Sequence, residues 1–348
     1  MRRWLWLAGM LLGLAALAAG LMGLRHSLGW VGGHGGVLRL VDRGTLANTS
    51  FEHRPASHDW AFGGSAPTAL RFTDWHPGRL AVGVDDSADS AFHGYFAVTR
   101  HVFAADTYVQ ATVEPLTVHP EQHQTAETVV AVQTGWTKAT GMINYIVVSN
   151  LAWNGHKPLV EAGYAFGNIR DAHTLMFESA PAQRWLPRNR PYVLTIRTDG
   201  RHLAKVWIGS RLFYASDHLD LAIAPPFQVY LEVQARHIRY AAAFAGFAVY
   251  RGNSVRITGL PAGSRLSFAG RHEHLSASAG PRGDASLRLH MPWLQDAGTL
   301  TIAAAGGRRW SFPDLTLDGG DSLVFSTLPQ YAWWLRWLPP APWLRPLG

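Results

Sequence analysis

The stretch FQVYLEVQARHIRYAAAFAGFAVYRG, Phe227 to Gly252, decides the fold class. From Val229 to Gln234 apolar and polar residues alternate strictly. Val229, Leu231 and Val233 fall on one face, and Tyr230, Glu232 and Gln234 on the other, the two-residue period of a half-buried strand. The aromatic and alanine-rich run from Ala242 to Tyr250 that follows reads as a second strand.

Outward from this pair, similar runs recur at Tyr108–Val113, Thr128–Gln133, Ile143–Ser149, Tyr192–Thr198 and Leu203–Ile208, separated by Gly, Pro, Asn and Asp. Thr198-Asp199-Gly200-Arg201 joins two of them through an Asp-Gly pair, a hairpin signal because glycine accepts positive φ. Few stretches hold a helical period. The expectation is an all-β jelly-roll sandwich over residues 38–252.

The order WAFGG (60–64), GRLAVG (78–83), GYFAVTRHVF (94–103), YVQATVEP (108–115), the hairpin at 192–214 and the closing stretch at 227–252 resembles the concanavalin A-like lectin/glucanase superfamily, in particular its laminin-G-like modules. The resemblance rests on pattern. It implies a jelly roll with a glycan-binding face. The retaining glucanases of that superfamily carry paired carboxylates on one strand. No Glu-x-Asp-x-x-Glu occurs here, which turns the expectation from hydrolysis toward binding.

After Asn253 the texture changes to short strands with glycine-rich turns, in SVRITGLPAGSRLSFAG, ASLRLHM, GTLTIAAAGG and RRWSFPDLTLDGGDSLVF. Residues 253–328 are expected to form a small immunoglobulin-like β-sandwich, with a carboxypeptidase-regulatory-like fold as the alternative. A Trp- and Pro-rich tail, 329–348, carries Trp333, Trp334, Trp337 and Trp343 beside arginines. Rings with a polar edge suit the headgroup layer of a bilayer, and a tail folded back onto the second sandwich is the competing reading.

At the other end, two arginines precede an uncharged run from Trp4 to Leu24 of 21 residues, enough as a helix to span a hydrocarbon core of roughly 30 Å. Residues 1–26 therefore read as a signal anchor with a cytoplasmic N-terminus, a cleaved signal peptide being the alternative. Residues 27–37 read as a glycine-rich spacer. The expected location is the cell membrane, single-pass, with the bulk extracytoplasmic.

The chain of 348 residues has no cysteine, which excludes disulfides, thiolate metal sites and a cysteine nucleophile. The net charge of +7 comes from scattered rather than clustered basic residues, and nucleic acid is not an expected partner. No cofactor is expected. His119, Glu121 and His123 lack a zinc-motif setting, and Asp85, Asp86 and Asp89 read as a solvated acidic turn rather than a calcium loop. Arg282-Gly283-Asp284 reads as a turn.

Tyr145, Trp207, Tyr230, Glu232 and Gln234 are the candidate ligand-binding set: flat rings for a sugar's apolar face and polar groups for its hydroxyls. The expected function is that of a membrane-anchored, non-enzymatic binder of a glycan or envelope polymer. The alternative is a structural or assembly subunit with protein partners, and a glycoside hydrolase ranks behind both, since it needs a second carboxylate within reach of Glu232.

Overall fold

The computed structural model describes residues 30–31, 35–88, 91–104, 107–114, 121, 123–134, 142–153, 158–168, 173–187, 190–198, 204–215 and 226–327. The expected anchor (1–26), the Trp-rich tail with Trp333, Trp334, Trp337 and Trp343, the Asp199-Gly200 turn, His119 and Asp89 lie outside these residues. Among the described residues no helix is long and apolar enough to cross a membrane.

In chain order the strands are β1 (Trp30–Val31), β2 (Gly36–Asp42), β3 (Thr45–Thr49), β4 (Trp60–Gly63), β5 (Arg71–His76), β6 (Arg79–Asp85), β7 (His93–Thr99) and β8 (Thr107–Val113). Then come β9 (Thr125–Thr134), β10 (Met142–Trp153), β11 (Leu159–Asn168), β12 (His173–Pro181), β13 (Tyr192–Thr198), β14 (Ala204–Ile208), β15 (Arg211–Ala215), β16 (Phe227–Arg236) and β17 (Arg239–Tyr250). The last group is β18 (Ser254–Thr258), β19 (Arg265–Gly270), β20 (His274–Ser278), β21 (Ala285–Arg288), β22 (Gln295–Ala303), β23 (Arg309–Asp318) and β24 (Ser322–Thr327). Besides two 3-10 turns, Thr68–Leu70 and Ala182–Arg184, these strands are all the regular structure among the described residues.

The chain divides into two compact units, one of residues 45–252 with 290–292, the other of the remainder. The larger unit holds two antiparallel sheets. One has the order β12-β11-β10-β9-β16-β7-β4, the other β15-β14-β13-β8-β17-β6-β5, with β3 paired to β17. Between them lies one core. The first sheet contributes Ala126, Val130, Val132, Val229, Leu231 and Val233, and the second faces it with Leu80, Val109, Leu194, Ile196, Phe244 and Val249. These come from alternate positions of their strands, the alternation in β17 shifting by one at the irregularity between Phe244 and Gly246, so the two-residue period fixes which side chains leave water. The fully buried branched residues among them contribute roughly 1.5–3 kcal/mol each. Hydroxyl pairs tie the two sheets together: Thr128 shares a hydrogen bond with Tyr240, and Thr73 with Tyr95.

The smaller unit pairs a sheet β1-β2-β24-β18-β21 with a sheet β20-β19-β22-β23. The structure differs here from the expected boundaries. Gly36–Asp42 does not open the larger unit, and the glycine-rich stretch before it is not only a spacer, because β2 pairs antiparallel with β24 and β1 pairs with β2. The sequence reading followed the order of the chain, whereas Val37 and Leu38, both buried, find their strand partners almost 290 residues later at Ser326 and Phe325. Gly36 is required by this packing: a Cβ there would stand 2.4 Å from the Trp310 ring. Trp310 in turn meets Phe325 edge to face, ring centroids 4.9 Å apart.

Two carboxylates hold the turns of this unit. Asp321 accepts the backbone N–H groups of Gly44 and Asp318 at 2.7 and 2.9 Å, and its burial pushes its carboxyl up to about 6 against those bonds. Asp296 accepts four backbone N–H groups, those of Arg271, His272, Glu273 and Ala297, at 2.9 to 3.1 Å. Both roles are structural.

Candidate active site

The outer face of the seven-stranded sheet carries the candidate residues of β16. On β16 the core takes Val229, Leu231 and Val233, so Gln228, Tyr230, Glu232 and Gln234 point outward, each partly buried. On β9 the same logic sends Ala126, Val130 and Val132 inward and leaves Glu127, Val129 and Ala131 outward. Val129 and Ala131 are nonetheless buried, packed under Tyr230. The result is an apolar floor with an acid rising from it.

Cross-strand register fixes the neighbours. Glu232 stands opposite Val129 on one side and Phe96 on the other, and Gln234 stands opposite Glu127 and Gly94. Phe96 meets Tyr230 edge to face with ring centroids 4.9 Å apart. Gln234 Nε2 donates to Glu232 Oε1 at 3.1 Å.

Gly94 makes room for that carboxylate. A Cβ at this position would lie 2.7 Å from Glu232 Oε1, so the acid's head leans over β7 into space that any other residue would fill. The Gly94 N–H is itself held by Ser65 Oγ at 2.9 Å. Burial pushes Glu232 from its ordinary 4.5 up to about 7, partly offset by the Gln234 hydrogen bond. Burial likewise lifts Tyr230, to about 12, with the charge of Glu232 adding to it. A carboxyl that keeps its proton near neutrality can donate it.

A second buried acid occupies the same face. Glu161 on β11 accepts from Ser179 Oγ at 3.0 Å, and burial raises its pKa. It belongs to the transverse row Ser179, Glu161, Ser149, Val129, Glu232, Phe96, Gly63 that crosses the sheet from β12 to β4. Three strand spacings separate it from Glu232, roughly 14 Å. That is too far for the two acids to act on one bond. Glu127, diagonal to Glu232 on the adjacent strand, is roughly 7–8 Å away by backbone position.

The structure keeps part of the expected site together and disperses the rest. Tyr230, Glu232 and Gln234 share one face of β16. Tyr145 lies on β10 in register with Gln133, whose partner across the next strand is Gln228, so its row is separate from that of Glu232. Trp207 is not part of this site: β14 belongs to the eight-stranded sheet, where Val206 and Ile208 enter the core and Trp207 points away from it. There it lies 6.0 Å from the Tyr108 ring, which Arg197 covers at 5.5 Å. Alternation assigns a residue to a face but not to a sheet.

Sequence reading missed Glu127, Gly94 and Phe96. Its strand began at Thr128, one residue past Glu127, and the pairing that brings these residues to Glu232 is between strands distant in sequence. Asp86 is not a solvated acid either. It is fully buried, bonded to His93 Nδ1 at 2.8 Å and to the His237 N–H at 3.2 Å. Among the described residues no cluster of three or more His, Asp or Glu could hold a metal ion.

No family model and no curated protein matches the chain. Solved structures do resemble it. A β-1,3-1,4-glucanase (lichenase) derived from a mouse hindgut metagenome is 13% identical, with 59% of this chain and 98% of that one covered at a TM-score of 0.41. β-Agarase A in complex with oligoagarose is 9% identical, covering 63% and 94%, TM-score 0.45. The κ-carrageenase of Pseudoalteromonas carrageenovora is 10% identical, covering 64% and 95%, TM-score 0.42. The likeness is one of fold.

The expectation of a non-enzymatic glycan binder, with an assembly subunit as its alternative, is corrected on this chain's own geometry. It rested on Glu232 having no second carboxylate within reach, and the register places Glu127 on the neighbouring strand.

Proposed function

We propose that the outer face of the seven-stranded sheet cleaves glycosidic bonds, with Glu232 as the general acid. One observation carries this reading: a carboxyl raised to about 7 stands on an apolar, aromatic floor where a leaving oxygen could take its proton. At neutral pH a large fraction of Glu232 is protonated, as an acid catalyst requires. Tyr230 and Phe96 supply ring surface for the apolar face of a sugar, and Gln234 holds the acid in place.

The proposed substrate class is a neutral polysaccharide, because among the described residues the face around Glu232 offers rings and an amide, Phe96, Tyr230 and Gln234, rather than a cluster of cations. In this reading the chain is an extracytoplasmic enzyme tethered through Trp4–Leu24, and the smaller unit is an immunoglobulin-like accessory sandwich. The test is reducing-end release by the full chain from mixed-linkage β-glucan, agarose and κ-carrageenan at pH 6. Cleavage of mixed-linkage β-glucan or agarose, the two neutral polymers, that falls by about 100-fold or more in Glu232→Gln is the expected result, and cleavage of the sulfated κ-carrageenan alone would overturn the neutral substrate class. A wild-type chain inert on all three, or a fully active Glu232→Gln, would overturn the assignment.

A further inference from the structure

The smaller unit has two ends, and its charges divide unevenly between them. Strand register fixes which turns share an end. β24 finishes at Thr327, opposite Gly36, where β2 begins. β18 runs parallel to β24, so Gly259 follows it at the same end, packed against the Phe325 carbonyl. The Leu260 N–H donates to the Gly283 carbonyl and the Gly263 N–H to that of Ala279, which brings the turns 259–264 and 279–284 together. Arg265, the first residue of β19, stands opposite Ser278 and Ala303, so the turn 304–308 between β22 and β23 closes at this end as well.

Four arginines project from it. Arg265 and Arg309 flank Ala303 on the outer face of their sheet, two strand spacings or roughly 9–10 Å apart, because Leu266, Ile302 and Trp310 take the inward positions. Arg308 ends the turn 304–308, and Arg282 sits in the turn 279–284. All four are exposed, and among the described residues none of their side chains has a hydrogen bond or an ion pair. Asp284 is the one acid at this end among the described residues. At the other end the balance reverses, with Asp42, Glu273, Asp296, Asp318 and Asp321 outnumbering Arg43, Arg271 and Arg288.

The segments that flank this unit indicate what its arginine end meets. The chain leaves Thr327 here, and six residues on come Trp333, Trp334 and Trp337 beside Arg336, a composition suited to the headgroup layer. Only residues 25–29 separate Leu24, the last of the uncharged run, from Trp30, a reach of roughly 20 Å at most. Trp30 pairs with Leu38, two residues from Gly36. The connections to residues 45–252, at Gly44 and Asn253, leave from the other end.

We propose that the arginine end of the smaller unit lies on the anionic headgroups of the bilayer that holds Trp4–Leu24. The inference rests on the tether read from that segment and adds a surface to it, with Arg265, Arg282, Arg308 and Arg309 as the contact and anionic phospholipid as the partner. A guanidinium takes a phosphate through two parallel hydrogen bonds, and a lipid surface offers phosphates over the whole area across which the four are spread. Each arginine held near an anionic leaflet strengthens the contact about fivefold. A Cβ at Gly306 or Gly307 would meet nothing within 4 Å, so the turn that presents Arg308 and Arg309 is an open tip.

The chain has no cysteine, so one fluorophore can be placed by Ala305→Cys at this end or by Arg271→Cys at the other. Each labelled full chain is reconstituted into phosphatidylcholine vesicles with and without phosphatidylglycerol, and a lipid with a nitroxide headgroup serves as quencher. With phosphatidylglycerol present, quenching at 305 should exceed that at 271 by about fivefold. The contrast should vanish in phosphatidylcholine alone and in the Arg308→Glu/Arg309→Glu chain. It should also vanish at about 1 M salt, where charges are screened within about 3 Å. If the charge-reversed chain unfolds at a lower temperature than wild type, the salt series on wild type decides. Equal quenching at both positions, or a contrast that survives charge reversal in a stable chain or survives salt, overturns the surface and leaves the tether standing. A chain that alkaline carbonate washes off the vesicles has no spanning segment, and the tether and this inference then fall together.

Discussion

Glu232 shows how one residue's surroundings set its chemistry. The unfolded chain releases this proton near 4.5, whereas the folded chain holds it to about 7. Below pH 4.5 both states are protonated and burial of the carboxyl costs nothing extra. As pH rises from 4.5 to 7 the unfolded state alone ionises freely, so stability falls, and above 7 the full penalty remains. Glu232→Gln keeps an oxygen to accept the Gln234 bond but cannot ionise. Urea unfolding at pH 4 and pH 8.5 should therefore give equal stabilities for wild type and variant at the lower pH. At the higher pH the variant should be more stable by about 1–3 kcal/mol. Equal stabilities at both would mean that the carboxyl is well solvated.

Strand β16 serves two tasks with alternate residues, and they can be separated. Leu231 is fully buried between the sheets while Glu232 next to it faces outward. Leu231→Ala should cost about 3 kcal/mol through the cavity it leaves, seen as a lower midpoint in thermal unfolding by near-UV circular dichroism. An unchanged midpoint would contradict the packing described. The same alternation explains what was legible in the sequence. Val229 to Gln234 revealed its strand and both faces, and the runs at Tyr108–Val113 and Tyr192–Thr198 lie within β8 and coincide with β13. Register was not legible, because Glu127 and Gln234 become neighbours only through a pairing between strands about a hundred residues apart. Trp207 failed for a related reason: its outward position was readable, but which of two sheets it left was not.

Across the whole chain, the smaller unit draws on sequence from both sides of the larger one. β1 and β2 precede the larger unit, β18 to β24 follow it, and β2 completes the sheet against β24. A fragment beginning at Asn253 would lack Val37 and Leu38 from its core and Gly44 from the Asp321 carboxylate. Such a fragment should unfold at a lower temperature than the same fragment supplied with residues 30–44 through a short linker. Equal unfolding temperatures would show β2 to be dispensable.

The bond from the Gly44 N–H to Asp321 joins residues 277 positions apart. At about 5–20 residues added per second, a ribosome needs roughly 15 to 55 seconds to travel between them. For that interval β2 is a finished strand without its partner, while the whole of the larger unit emerges and has time to fold. The order of synthesis thus makes the larger sandwich the elder of the two, and one of the first strands translated among the last to find its place.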